Sequence, residues 1–296
     1  ESVLGRFPLE AGLAPHFEVM DERTAAEAMH AARDALLLHA QSGDDKSLAD
    51  AVAAITARIS EDEFSGLMSD LARDRGRFSR LLGEHGLAGL DRAIRDYLGI
   101  AVGETDADIV DVSSADGAFD GTGLRAASRA LQDGSSTDQA RGLTIAAWLE
   151  DEGARDTAFD DYCGAFLTKE GGVRQRLITQ AARAAAPEAE DCLRTEGERL
   201  AVVMDRRRAL TVAAATGALI TLAERLLAAY EAHKTAHALL DYDDLIERVR
   251  VLLESDGGAS WALYKLDGGI DHILIDEAQD TNPDQWAVIR ALADEF

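Results

Sequence analysis

Three carboxylates and an amide stand within five positions near the end of the chain: Asp276, Glu277, Gln279 and Asp280. They follow the apolar run Ile273 to Ile275. A short continuous apolar run is the pattern of a strand buried on both faces, as in a parallel sheet. Acids at the carboxyl end of such a strand stand where α/β sheets bind ligands. There Asp276 is placed to hold a divalent cation, Mg²⁺, and Glu277 to take a proton from an attacking water. That is the chemistry of nucleotide hydrolysis. A bare Asp-Glu pair reads equally well as two solvated acids ending a strand. Gln279 and Asp280, in a fixed frame before a helix, favour the chemical reading.

The helix that must hold this loop begins at Asn282. Asparagine is a good N-cap, Pro283 suits the first helical position, and Gln285 completes a capping box. Trp286, Ile289, Leu292 and Phe296 recur at helical spacing and predict a buried face. Asp280 reads either as an anchor of the turn or as a further cap.

Taken together, Ile275-Asp276-Glu277-Ala278-Gln279-Asp280-Thr281-Asn282-Pro283 and Gln285-Trp286 resemble the Walker B region, motif II, of UvrD/Rep-like superfamily 1 DNA helicases. Tyr230, Lys234 and the run Leu240-Asp241-Tyr242-Asp243-Asp244-Leu245 are similar to the segment preceding motif II in that family. Arg6 to Gly12 and Phe17 to Asp21 resemble the segment after the family's Thr-x-His-x-Phe-Cys motif. The wording of residues 266–280 is closest to the AddA-type helicase–nuclease subunits of double-strand-break repair.

The resemblance implies ATP and Mg²⁺ as cofactors, with Asp276 on the metal, Glu277 activating water and Gln279 near the γ-phosphate. It implies single-stranded and duplex-junction DNA and an AddB-like nuclease subunit as partners, in a bacterial cytoplasm. It also implies a layout: residues 1–21 and 236–296 as parts of the RecA-like domain 1A, and residues 22–235 as the inserted helical domain 1B. The expected fold is therefore a predominantly α-helical fragment plus part of a P-loop NTPase α/β core carrying the Walker B strand. No Gly-x-x-x-x-Gly-Lys-Ser/Thr loop occurs in these residues, and that loop cradles the phosphates. Residues 1–296 alone are thus expected to be catalytically inactive. Two other readings stay open: a UvrD/Rep-like helicase without a nuclease, and an acidic helical interaction module.

Composition pulls the other way. Thirty Lys+Arg against 55 Asp+Glu leave a formal charge of −25, and aromatic residues make up only 5%. Phosphate backbones attract basic surfaces, and single strands stack on aromatic rings. The arginine groups that could meet DNA are Arg73, Arg77 and Arg80, which share a helical face if one helix runs through them, then Arg206, Arg207 and Arg208, then Arg174 and Arg176. In so acidic a chain each group also reads as a salt-bridged helix face. Cys163 and Cys192 lack metal-ligand spacing, and His233 and His237 have no third ligand beside them. No apolar run is long enough to suggest a membrane span.

Between 22 and 235 the chain reads as almost wholly helical, with Pro187 its only proline there. Helices are expected over 22–37, 46–60, 62–82, 87–98, 123–131, 137–150, 174–185 and from 187 past 230, then over 241–254. Residues 99–123 hold six acids and no Lys or Arg, which predicts a solvated loop. Tyr242 and Leu245 are expected to pack their helix on the core.

Overall fold

The computed structural model describes residues 2–254, 272–275 and 278–293. In chain order the elements are α1 (Ser2–Arg6), β1 (Glu18–Val19), α2 (Glu22–Ser42), α3 (Lys46–Thr56), α4 (Glu61–Arg73) and α5 (Arg75–Leu98). Then come α6 (Asp106–Ser114), α7 (Gly121–Gln132), α8 (Ser136–Glu150), α9 (Phe159–Phe166), α10 (Gln180–Ala185) and α11 (Pro187–His237). The last are β2 (Leu239–Leu240), α12 (Tyr242–Glu254) and α13 (Pro283–Ala293). The described residues are mostly helical, as expected. Their one sheet is the parallel pair β1–β2, with Glu18 opposite Leu239 and Val19 opposite Leu240.

Two compact units share these elements. One takes residues 1–84 and 218–296, the other 85–217. In the first unit Asp21 caps α2 by accepting from the Thr24 amide at 2.8 Å. Ser60 and Glu63 form a capping box at the start of α4. α2, α3, α4 and the last turns of α11 bury Leu36, Leu48, Phe64, Met68, Leu222 and Leu226 together. Each fully buried leucine of this kind contributes about 1.5–3 kcal/mol. α12 packs against α1 and α13. Residues 22–84 and 218–235, which the resemblance assigns to the inserted domain, thus pack in one body with the segments on either side of them.

The other unit is built on α7 and α8, with α9, α10 and the first part of α11 around them. Its centre is an aromatic column: Trp148 stacks on Tyr162 with ring centroids 3.8 Å apart, and Phe166 meets Tyr162 edge-on at 5.1 Å. Tyr162 donates to Glu196 at 2.7 Å, and Arg199 grips the same carboxylate through two bonds of 2.7 and 2.8 Å. Buried charge here is paired and hydrogen-bonded, which is the condition for tolerating it.

Several expectations need correction. Residues 99–123 are not one solvated loop: α6 forms inside them behind a Thr105–Asp108 capping box. Three acids in and around it find arginines far along the chain, Glu104 with Arg206, Asp106 with Arg207 and Asp116 with Arg155. Helix formation in the 174–185 stretch starts only at Gln180, because Leu167 bridges Val173 and Arg174 turns back to donate to the Gly164 carbonyl. The helix expected over 62–82 breaks at Asp74, the C-cap of α4. α5 is itself interrupted at Gly86, whose φ of 65° suits a residue without a Cβ. α11 does contain an 18-residue window apolar enough to cross a membrane. Its Leu222, Leu226 and Tyr230 are packed in the first unit's core, and a third of that window is buried.

Candidate functional site

Asp276 and Glu277 lie outside the described residues. What flanks them is described. His272 to Ile275 form no strand, and Leu274 is 93% exposed. The expected buried strand is therefore absent here, since a strand needs ladder partners and no described strand pairs with these residues. Ala278–Asp280 make a single 3-10 turn in which Gln279 is exposed.

The helix after the acidic loop forms as its sequence predicts. The Gln285 amide donates to the Asn282 side chain at 2.8 Å, and the Asn282 amide donates to the Gln285 side chain at 2.9 Å. This reciprocal box satisfies two amides that a helix start leaves unpaired. α13 is less buried than expected: Trp286, Ile289 and Leu292 are all only partly covered. Asp284, at its second position, pairs with Arg80 at 2.7 Å. A carboxylate there also favours the helix dipole.

Just upstream in sequence, the residues that the resemblance singled out form a buried charge network whose pairing the sequence reading did not give. Lys234, at the end of α11, is 2% exposed and Asp241 3%. The Lys234 ammonium donates to Asp244 at 2.7 Å and to Asp241 at 3.1 Å, and pairs with Glu231 at 2.7 Å. Asp241 also accepts from the Tyr230 hydroxyl and the Asp244 amide, and Arg75 bridges it to Asp243 at 3.1 and 2.9 Å. Burial opposes charge on Asp241, but the Asp244 amide, Lys234 and Arg75 together hold its carboxyl below the ordinary value. Burial likewise opposes charge on Lys234, and its bonds to Asp244 and Glu231 more than offset this, raising it. Tyr242 is 62% exposed, so it does not pack the helix on the core; Leu245 does, beside Leu240. The signal was available: a lysine closing an apolar helix, with two aspartates seven and ten residues on.

A cavity of about 800 Å³ opens between α2 and α4, lined by Met20, Met29, Met68 and Leu226 and reached by Arg75 and Asp241. Among the described residues no cluster of His, Cys, Asp or Glu is arranged to hold a metal ion. The arginines named from sequence are mostly engaged by carboxylates. Arg73 pairs with Asp70 at 3.1 Å, Arg206 with Glu104 at 2.7 Å, and Arg207 with Asp106 at 2.7 Å and Asp160 at 2.5 Å. Arg208 pairs with Asp205 at 3.1 Å and also donates to the Glu170 carbonyl. Arg77 and Arg176 are exposed. The break at Asp74 places Arg73 on a different helix from Arg77 and Arg80.

The acidic loop, its capped helix and the Lys234–Asp244 segment all fall in one stretch with a known counterpart. Residues 158–296 match the family model of the UvrD/REP helicase N-terminal domain. The match covers just under half of the chain and supports a UvrD/Rep-like superfamily 1 helicase. A helicase domain of this family implies ATP hydrolysis with Mg²⁺, and DNA as the partner. No curated protein matches the chain.

Proposed function

We propose that the chain is part of an ATP-dependent DNA helicase of the AddA type, acting in double-strand-break repair in the bacterial cytoplasm with an AddB-like nuclease subunit. The family match over 158–296 carries the helicase part of this reading, because it spans the whole Asp276–Asp280 loop. The AddA part rests on the wording of residues 266–280. In this reading Asp276 holds Mg²⁺, Glu277 activates the hydrolytic water, and Gln279 senses the γ-phosphate. Residues 1–296 contain no phosphate-cradling Gly-Lys-Ser/Thr loop and so do not turn over ATP alone.

Glu277→Gln in the complete protein tests the assignment. It should leave Mg²⁺-nucleotide binding intact and cut turnover by about a hundred- to ten-thousand-fold, the usual contribution of a general base. Unchanged turnover removes Glu277 from the role. Co-purification of an AddB-like subunit and a nuclease activity in the same protein separate the AddA type from a helicase without a nuclease.

A further inference from the structure

Between Asp161 and Glu188 the chain carries Lys169, Arg174, Arg176 and Arg183 and one acid, Glu170, although over its whole length acids outnumber cations 55 to 30. The fold keeps this charge together. Leu167 bridges Val173, and the Thr168 amide donates to the Gly172 carbonyl at 2.8 Å, closing a hairpin whose tip holds Lys169 and Glu170. Gly171, with a φ of 90°, makes the turn. Arg208 of α11 pins the tip by donating to the Glu170 carbonyl at 2.9 Å, while its own charge is met by Asp205. Thr168 and the Glu170 amide engage the Glu170 carboxylate and hold it below its ordinary value. The one acid is thus folded back on the hairpin itself.

The return arm leads back to the last turn of α9. Arg174 donates to the Gly164 carbonyl at 3.0 Å, and Arg141 of α8 donates to the Ala165 and Leu177 carbonyls. Capping these carbonyls accounts for Arg141, whose charge also has Asp138 at 3.9 Å. It does not account for the rest. Burial, and then the Arg174 charge beside it, press Arg141 below its ordinary value. Lys169 and Arg176 are exposed, and among the described residues no carboxylate pairs with either of them or with Arg174. Arg183, by contrast, is met by Glu190 at 2.6 Å. Asp160 and Asp161 open α9 at its other end, about 12 Å of helix away and so beyond a Debye length of about 10 Å at 0.1 M salt. Cations held side by side without counter-charges make a surface for an anion.

Within residues 164–186 the sole aromatic ring is that of Phe166, and it is fully buried. Nothing there can stack on an unpaired base. A surface of this kind meets phosphates, and a duplex, with one charge per about 1.7 Å of axis, offers them more densely than a single strand. We propose that the hairpin at 167–176, through Lys169, Arg174 and Arg176, is a contact surface for the phosphate backbone of duplex DNA. This rests on the helicase reading above, which supplies DNA as the partner. It sets these three cations apart from Arg206, Arg207 and Arg208, whose guanidiniums carboxylates already occupy. Each phosphate contact contributes about 0.9 to the salt slope, so at about 0.1 M salt its loss is about eightfold in affinity, the salt concentration raised to that power.

The experiment measures binding of the complete protein to a mixed-sequence blunt duplex and to oligo(dT) by fluorescence anisotropy over a range of salt, together with its melting temperature. The variants are Lys169→Gln, Arg176→Gln, the double variant and Arg176→Lys, with Arg23→Gln, on an exposed turn of α2, as a control. Arg174 is left in place because it also caps α9. Each single Gln variant should weaken duplex binding by about threefold to eightfold and lower the slope of log affinity against log salt by about 0.9, and the double variant should lower it by about 1.8. Oligo(dT) binding and the melting temperature should hold, and Arg176→Lys should keep most of the affinity. Wild-type duplex affinity and slope in the double variant overturn the proposal, and so does an equal loss on oligo(dT). It is equally overturned if the double variant loses binding to polyglutamate and not to duplex, the mark of an acidic protein partner. A wild-type protein with no ATP turnover sinks the helicase reading, whereas the salt titration needs no turnover and still decides the hairpin.

Discussion

Replacing Asp241 with asparagine removes one negative charge from a buried site and leaves two cations facing a neutral amide. Lys234 keeps Asp244 and Glu231, and Arg75 keeps only Asp243. Breaking a buried ion pair from one side costs about 3–5 kcal/mol, because the remaining charge stays out of water without its partner. For a unit of this size each kcal/mol lowers the melting temperature by about 2–4 °C, so a fall of roughly 6–20 °C is expected. Lys234→Met should cost a similar amount, and the double variant less than the sum, since the Lys234–Asp241 pair is then lost only once.

The pH dependence has a definite sign. Asp241 is held below its ordinary value, so its stabilisation is present above the unfolded value near 3.9 and disappears as pH falls through the folded one. Lys234 is raised, so its stabilisation is full below about 10.4 and fades as pH climbs past the folded value. The Asn variant should therefore flatten the acid limb of the stability curve and leave the alkaline limb less changed. Calorimetry, with hydrogen exchange read separately on α12 and on α8, distinguishes the two units. Melting within 2 °C of wild type, or equal loss of protection in both units, refutes the reasoning.

Other outcomes follow from single sites. Glu196→Gln should destabilise the 85–217 unit by about 3 kcal/mol, since it removes the buried carboxylate that pairs with the partly buried Arg199; unfolding in denaturant followed by tryptophan fluorescence measures it. Asp138→Ala should cost about 1–2 kcal/mol. That side chain is 2% exposed and accepts from Ser135 and from the Thr179 amide and hydroxyl. The same denaturant curves check it, and a loss under 0.5 kcal/mol contradicts the reading. Ala238 has a φ of 53°, a left-handed conformation that disfavours a Cβ. Ala238→Gly should thus stabilise the other unit by about 0.5–1 kcal/mol, and a lower denaturation midpoint would count against it.

Local signals were legible where the physics is local. The cap at Asn282 and the long helical periodicities could be read because each depends on residues within a turn or two. α6 was hidden because the acids at and just before its start looked unpaired in sequence; the arginines of Glu104 and Asp106 sit about a hundred residues further on, at 206 and 207. Tyr242 was expected to pack inward because hydrophobicity ranks it that way, whereas it is exposed and its neighbour Asp241 is buried. Burial of Asp241 depends on Arg75 and Lys234, contributed by two other helices. At the candidate site the flanking helix could be read, while the apolar run before it could not. Periodicity says only that a strand wants neighbours, not that they are present.

The short ladder between β1 and β2 joins positions more than two hundred residues apart. During synthesis the chain for α2, α3 and α4 leaves the ribosome long before Leu222, Leu226 and Leu239 exist to cover it. All of 85–217 emerges in between, with its own core. The order of translation therefore lets the later-numbered body mature first, while the earlier helices wait with Leu36, Leu48 and Phe64 uncovered. A chaperone that guards nascent apolar helices would find its customer in that interval.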